Sequence, residues 1–441
     1  MHNQGSGQGS GLNRLYRRRF LQLAVRLGAA ALFAWPGTAS YGQQPGDRLR
    51  IGIMGPFTGP ASRTGRAIRQ GVIMALEDAR AEGEVPVSIE GEKLDIELVW
   101  VDSASYPDTA VKAVTRAVTQ QGVQILIGGW HSAVALAVME AEAQYRILHF
   151  ANLGAAQTIA NRLQHASHKY PGWFKGSPAP AKLAALYGEP LQYFQEQGLW
   201  QPANNKAAVM VEDTAFGHSW GDALLDSLRQ AGFDPLPYDL TALEQTDFRT
   251  LLDKYNREQV SLVAITTTGS VAAANFVKQF RQQEIKALLL GHGLRWFDEW
   301  YEMTGASSDF VISMDSPMPM ALWQQWWVRR YTERFKQPPS IQAAGLHYDY
   351  TRMAIKVLNS ATVLDLNDLA ATIYRTPYRG VWNHYRFVRD GDSPEQTTNE
   401  VLTGKFMEGF FLPMVQLFGG QAKTIWPTKY ADQHFRAPPW I

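Results

Sequence analysis

From residue 48 onward, short apolar runs of strand length alternate with longer stretches whose apolar residues recur at helical spacing, and no other feature constrains the fold as tightly. The runs cover 49–54, 94–101, 123–127 and 147–151, and between them lie 65–81, 108–121 and 132–145. In the longer stretches Ile68, Val72, Leu76 and Ala79, and then Val111, Val114 and Val118, fall on one face of a helix. Near-continuous apolar strands separated by amphipathic helices form βαβ units, so a parallel sheet covered on both faces is expected.

A second series follows Tyr170, with runs at 207–211, 262–266 and 287–290 separated by helical stretches at 220–230, 247–257 and 270–283. One doubly wound sheet rarely takes so many units, and two α/β lobes are the more economical reading. Another strand is expected at 310–314 and helices at 321–335, 343–360 and 366–374. Strand-like pieces at 381–388 and 410–418 bracket the polar turn Arg389-Asp390-Gly391-Asp392.

The first 42 residues are of a different kind: they hold Arg14, Arg17, Arg18, Arg19 and Arg26 and no acid. The apolar run at 27–35 is well short of the ~20 residues a spanning helix needs. Small residues around Thr38, Ala39, Ser40 and Gly42 complete the pattern of a cleaved export signal. Arg17-Arg18-Arg19-Phe20-Leu21 resembles the twin-arginine address of bacteria, so periplasmic delivery in a folded state is expected. The alternative reading of this segment is an amphipathic anchor. The chain has no cysteine, so it has no disulfide and no attachment point for an N-terminal lipid.

Basic and acidic side chains number 42 and 41, a balance that leaves no electrostatic footprint for nucleic acid. The ten histidines show no metal-ligand spacing, and neither a dinucleotide fingerprint nor a phosphate loop is present, so no metal or cofactor is expected. Gly217-His218-Ser219-Trp220-Gly221 matches the nucleophile-elbow pattern of hydrolases, in which the serine follows a strand directly. Five residues separate Val211 from Gly217, so a Ser219-dependent hydrolase is the minor reading. Trp323, Trp326 and Trp327 form a helical aromatic stripe that reads as packing.

The stretch Ile51-Gly52-Ile53-Met54-Gly55-Pro56-Phe57-Thr58-Gly59-Pro60, followed by Gly65 and Arg69 to Leu76, resembles the opening of branched-chain amino-acid-type periplasmic binding proteins of ABC transporters. Further similar blocks are Val123 to Gly129, Thr246-Asp247-Phe248, Phe276 to Phe280, and Pro338-Pro339 through Tyr348-Asp349. The resemblance implies two doubly wound lobes joined by a three-segment hinge, the type I periplasmic binding protein fold. Carried onto this chain, lobe one would hold 48–168 and 298–378, and lobe two 169–297 and 379–441. It also implies a small-molecule ligand trapped between the lobes, permease subunits as partners and no enzymatic activity. A periplasmic sensor of the same fold shares all of this binding physics.

Strand ends name the candidate ligand contacts: Phe57, Thr58 and Thr64 after the first strand, Trp130, His131 and Ser132 after the third, Asn152, Leu153 and Gly154 after the fourth. From lobe two come Phe216, Thr267, His292 and Arg295, with Trp296 in reserve. Ser132 reads as a carboxylate contact at a helix start or as an ordinary N-cap. The resemblance favours the contact, since amino-acid binders of the family place a hydroxyl residue there. Trp130 and His131 read equally as contacts or as packing; Arg295 also reads as a solvated charge and Trp296 as core. Two departures count against a zwitterionic amino acid: Ala155 stands where those members place a second hydroxyl residue, and Gly293 where they place the acid that meets the ligand ammonium. Asp213 is the nearest replacement acid, and the expected ligand is a neutral or anionic small organic molecule, a carboxylate with an aromatic or acyl body.

Overall fold

The computed structural model describes residues 48–294, 300–315, 319–389, 391 and 396–441; the leader lies outside the described residues. The first sheet has the order β2-β3-β1-β4-β5-β6 and comprises β1 (Arg48–Gly55), β2 (Val87–Ile89), β3 (Glu92–Asp102), β4 (Ile125–Gly128), β5 (Leu148–Asn152) and β6 (Trp173–Lys175). All its pairings are parallel except β2 with β3. Successive side chains go to opposite faces, as the two-residue period demands. Ile51, Ile53, Ile125 and Ile127 therefore enter one core while Met54 and Leu126 enter another. The second of these cores is closed by α2 (Pro107–Thr119) and α3 (Ser132–Glu142), through Val114, Ala117, Val134 and Val138.

On the first core lies α1 (Ser62–Ala81), which contributes Ile68, Val72 and Leu76. A Cβ on Gly71 of α1 would stand 2.1 Å from the Ala344 carbonyl oxygen, so the backbones meet directly there. The second core also takes Ile159 and Leu163 from α4 (Gln157–Ala166).

After β6 the chain passes through α5 (Pro180–Ala184) and α6 (Gly188–Glu196) into a second sheet of order β16-β15-β12-β11-β10-β7-β8, with β9 also paired to β7. Its strands are β7 (Lys206–Glu212), β8 (Asp234–Pro235), β9 (Asp239–Thr241), β10 (Leu262–Thr266), β11 (Leu288–His292) and β12 (Ile312–Met314), with β15 (Met414–Phe418) and β16 (Gln421–Trp426) from the chain's end. Here too residues alternate between cores: Val209, Ala264 and Leu290 face one, Met210, Ile265 and Leu289 the other. Its helices are α7 (Ala215–Gln230), α8 (Arg249–Glu258), α9 (Ser270–Gln282) and the short α10 (Trp300–Thr304).

Then α11 (Leu322–Phe335) and α12 (Leu346–Ser360) return to the first lobe, where Tyr331 donates to Gln70 of α1 at 2.7 Å and Tyr348 to Asp78 at 2.8 Å. Next comes α13 (Leu366–Arg375), beside β5. Trp327 is fully buried against Tyr331, Tyr348 and Trp382, whereas Trp323 and Trp326 lie 43% and 55% exposed under Arg379 and Arg330. Only one member of the expected aromatic stripe is core.

The pairing moves the expected lobe limits. β6 pairs with β5, so the first sheet runs past 168, and β12 pairs with β11 and β15, so the return to lobe one falls after 314 rather than at 298. The described residues of 378–389 and 396–401 rest on lobe one instead of lobe two. Tyr385 donates to Asp349 of α12 at 2.6 Å, and Phe387 packs 5.7 Å from Phe150 and 5.5 Å from Phe174. Of the expected strand at 381–388 only β14 (His384–Tyr385) forms, paired with β13 (Tyr378–Arg379). Nothing in a three-residue strand such as Ile312-Ser313-Met314 says which of two sheets it will join, since both offer the same buried neighbours.

Candidate functional site

The carboxyl ends of β4 and β5 in one sheet face those of β7, β10 and β11 in the other, where ligands of open α/β sheets bind. Between them lies a cavity of about 820 Å³, part of it open to solvent, lined from the first lobe by Trp130, His131, Ser132, Leu153 and Ala155 and from the second by Leu183, Glu212, Thr214, Phe216, Leu243, Thr268, His292, Phe410 and Leu412. Ser105, Ala133, Ser177 and Gln342 complete the wall.

The first-lobe wall is shaped by Gly128 and Gly129, at φ +87° and +120°. A Cβ on Gly129 would stand 2.2 Å from the Asn152 amide, so the turn that presents Trp130 to Ser132 needs glycine both for its dihedral and for space. His131 is the N-cap residue of α3, and no side chain caps that helix. Burial holds the His131 imidazole neutral, with its pKa pushed down to about 4, and its Nε2 has no hydrogen-bond partner. Ser132 opens α3, yet its hydroxyl oxygen serves a different helix: it accepts from the N–H groups of Ala155 and Ala156 at 3.0 Å each, at the start of α4. Its own proton remains to be donated.

On the second-lobe wall Glu212, 2% exposed at the end of β7, accepts from Thr214 Oγ1 at 2.7 Å, Thr267 Oγ1 at 3.2 Å, Thr268 Oγ1 at 2.8 Å and Thr268 N at 2.5 Å. This carboxylate organises two loops. His292 lies with its ring 3.9 Å from that of Trp220 and its Nδ1 3.0 Å from the Tyr187 hydroxyl, and burial pushes its pKa down to about 3. Both histidines are thus neutral hydrogen-bonding groups. Glu212 is the only charged side chain among the described residues of the lining.

Of the residues named from strand ends, Trp130, His131, Ser132, Leu153, Phe216 and His292 meet at the cavity. Asn152, Gly154 and Thr267 stand one layer behind it. The Asn152 side-chain Oδ1 accepts from Gly154 N at 2.8 Å and the Thr267 hydroxyl donates to Glu212. Phe57, Thr58 and Thr64 do not reach it. Asp102 draws the loop away by accepting from Phe57 N at 2.8 Å and from the Thr58 hydroxyl at 2.6 Å, and Phe57 packs edge-on to Trp100 under Arg69. Thr64 stays in the first turn of α1. Arg295 and Trp296 lie outside the described residues.

The expected lack of an acid in the cleft needs correction, because Glu212 is there; Asp213 points outward, 64% exposed, with His218 at 2.8 Å. Glu212 ends a strand and Thr214 and Thr268 follow strands, so the strand-end rule reaches them; Gln342 comes from the single π-helical turn Ile341–Gly345 and Phe410 and Leu412 from a connecting segment, without such a signal. Ser219 is no elbow nucleophile. It sits in the second turn of α7, donating to Ala215 O at 2.8 Å and accepting from Gln157 N at 3.2 Å. Among the described residues no cluster of His, Asp or Glu could hold a metal ion, and no helix is long and apolar enough to cross a membrane.

A family model described as periplasmic binding protein matches residues 48–399. The Leu/Ile/Val-binding protein BraC3 of Rhizobium johnstonii is 25% identical over 215 residues, 49% of this chain, and the chain spans about half, 53%, of that relative's length. Among solved structures, a leucine binding protein from Thermotoga maritima aligns with a TM-score of 0.69 at 17% identity, over 85% of this chain and 97% of its own. A solute binding protein of an ABC transporter from R. palustris, in complex with benzoate, aligns with a TM-score of 0.68 at 18% identity, over 86% and 95%. At such identities these structures share the fold alone. With the family model covering the whole first sheet and the second as far as β12, the chain belongs to the periplasmic binding protein family.

Proposed function

We propose that the protein is an exported solute receptor that traps one small organic molecule between its lobes and delivers it to the permease of an ABC importer. The observation that carries this reading is the cavity lined from the strand ends of both sheets, which a closing motion would seal around a ligand. Arg17 and Arg18 in the acid-free leader support the twin-arginine route to the periplasm.

The lining argues for a ligand with an apolar body and a single polar head, neutral or anionic. Trp130, Leu153, Phe216, Phe410 and Leu412 supply flat and aliphatic walls. The uncapped start of α3 offers N–H groups and a positive helix end to a carboxylate, beside the Ser132 hydroxyl and the neutral His131. A ligand ammonium would have to take Glu212 from four donors already bound to it, an exchange that leaves buried hydroxyls unpaired. The aromatic carboxylate bound by the R. palustris neighbour is of the size and polarity such a cavity takes.

Calorimetry with benzoate, leucine, isoleucine, valine and the deaminated 2-oxo and plain carboxylic analogues tests it. Micromolar binding of carboxylates that lack an ammonium is expected, and binding of the amino acids alone would overturn the ligand class.

A further inference from the structure

We infer that the Ser219 hydroxyl is an interlobe latch: it caps the first N–H of α4 across the cleft and so sets how far the resting receptor stands closed. The first N–H groups of a helix have no partner inside it, and α4 has no side-chain cap of its own, because its N-cap is Ala156. Two hydroxyls fill the gap. Ser132, from the same lobe, accepts from Ala155 and Ala156, and Ser219, from α7 of the other lobe, accepts from Gln157 at 3.2 Å.

The geometry makes the cap directional. Ser219 donates its proton to Ala215 O at 2.8 Å, one turn back in α7, which turns an oxygen lone pair toward α4. Ala215 itself packs against the core that holds Ala156 and Ile159, so the two helix starts meet over apolar surface with one polar contact between them. Opening the cleft would strip Gln157 N of its acceptor and leave it to water, whereas the two Ser132 bonds travel with their own lobe. Ser219 is absent from the cavity wall, so it positions the lobes without touching ligand. The small residues on either side, Gly217 and Gly221, are explained separately: a Cβ at Gly217 would stand 1.8 Å from Glu212 O, and one at Gly221 2.7 Å from the Tyr238 ring.

The latch presupposes the two-lobe receptor. Its test needs no ligand and uses the absence of native cysteine: spin labels on cysteines introduced at the exposed Gln120 and Gln230, one on each lobe, report lobe separation by pulsed dipolar spectroscopy. Two separations are expected in the unliganded protein. Ser219→Ala shifts their ratio toward the wider one by about five-fold, the worth of one net hydrogen bond. Gln157→Pro removes the same N–H at a first helical position, where proline is well tolerated, and should give the same shift. Gln157→Ala keeps the N–H and should behave as wild type. Two separations left unchanged by both Ser219→Ala and Gln157→Pro would overturn the latch alone. One separation in the wild type that narrows only when benzoate is added would overturn the latch and leave the receptor standing, and one that neither benzoate nor the other carboxylates and amino acids narrow would overturn both.

Discussion

Lys175 Nζ stands 3.5 Å from Glu400 Oε2, with both side chains wholly buried, at the points where the chain leaves the first lobe after β6 and prepares its last crossing. Glu400 also takes Lys182 Nζ at 2.8 Å and Ala179 N at 3.1 Å, and Lys175 donates to Ser177 O. Burial pushes the Lys175 pKa down to about 8 despite the carboxylate beside it, so the ammonium depends on Glu400 for its charge. Glu400→Gln should therefore destabilise the protein by about 3 kcal/mol, by leaving a buried cation uncompensated. Lys175→Met should cost less, since Lys182 remains to neutralise Glu400. Urea unfolding of the two variants decides, and an equal or reversed order would contradict the assignment.

Phe216 is a cavity wall from the second lobe and Trp130 one from the first. Truncating either to Ala should weaken binding of the carboxylate found by calorimetry by about 30-fold, or about 2 kcal/mol of lost apolar contact. Thr58→Ala, in the loop that Asp102 holds away from the cavity, should leave affinity unchanged. If Thr58→Ala weakened binding as much as Phe216→Ala, the ligand would sit elsewhere in the cleft.

Acid should weaken the fold. Burial pushes His292 down to about 3 and His131 and His347 each to about 4 from an ordinary 6.5, so the unfolded chain takes up protons below pH 6.5 that the folded one refuses. The stability from neutral histidine is complete above pH 6.5 and is lost as pH falls toward 4, at about 1.4 kcal/mol per unit for each. Asp349 acts in the opposite sense: burial raises its pKa to about 6, and the folded state holds its proton below that pH. The net loss between pH 6.5 and 5, three histidines against Asp349, should be about 4 kcal/mol. Urea midpoints at these pH values measure it, and His347→Gln should flatten the slope by one histidine's share. A slope that stays as steep in His347→Gln would remove His347 from the account.

Gly71→Ala should be among the most damaging single methyl additions, because its Cβ would meet the Ala344 carbonyl at 2.1 Å and backbone, unlike a side-chain tip, cannot swing aside. A loss of at least about 3 kcal/mol is expected from the forced separation of α1 and the 341–345 turn. Thermal unfolding reads it directly, and a midpoint within a few degrees of wild type would show that the two segments part more easily than the packing implies.

Period and run length alone determined the two α/β lobes, the parallel order of their strands and the cleft at the strand ends, because a strand buried on both faces and an amphipathic helix are local patterns. They also placed Trp130, His131, Ser132, Leu153, Phe216 and His292, each within four residues of a strand end and so carried to the cleft by the sheet itself. Only the tertiary structure decided which loops reach the cavity. Asp102, 45 residues from Phe57, holds the first strand's loop aside. Glu212 spends its charge on threonines of its own lobe, Ser132 caps a helix begun two dozen residues later, and β12 joins a sheet that its residues do not name. Each of these outcomes depends on hydrogen-bond partners distant in sequence, and a donor's choice among distant acceptors is set by where the packed chain brings them, which no local periodicity encodes.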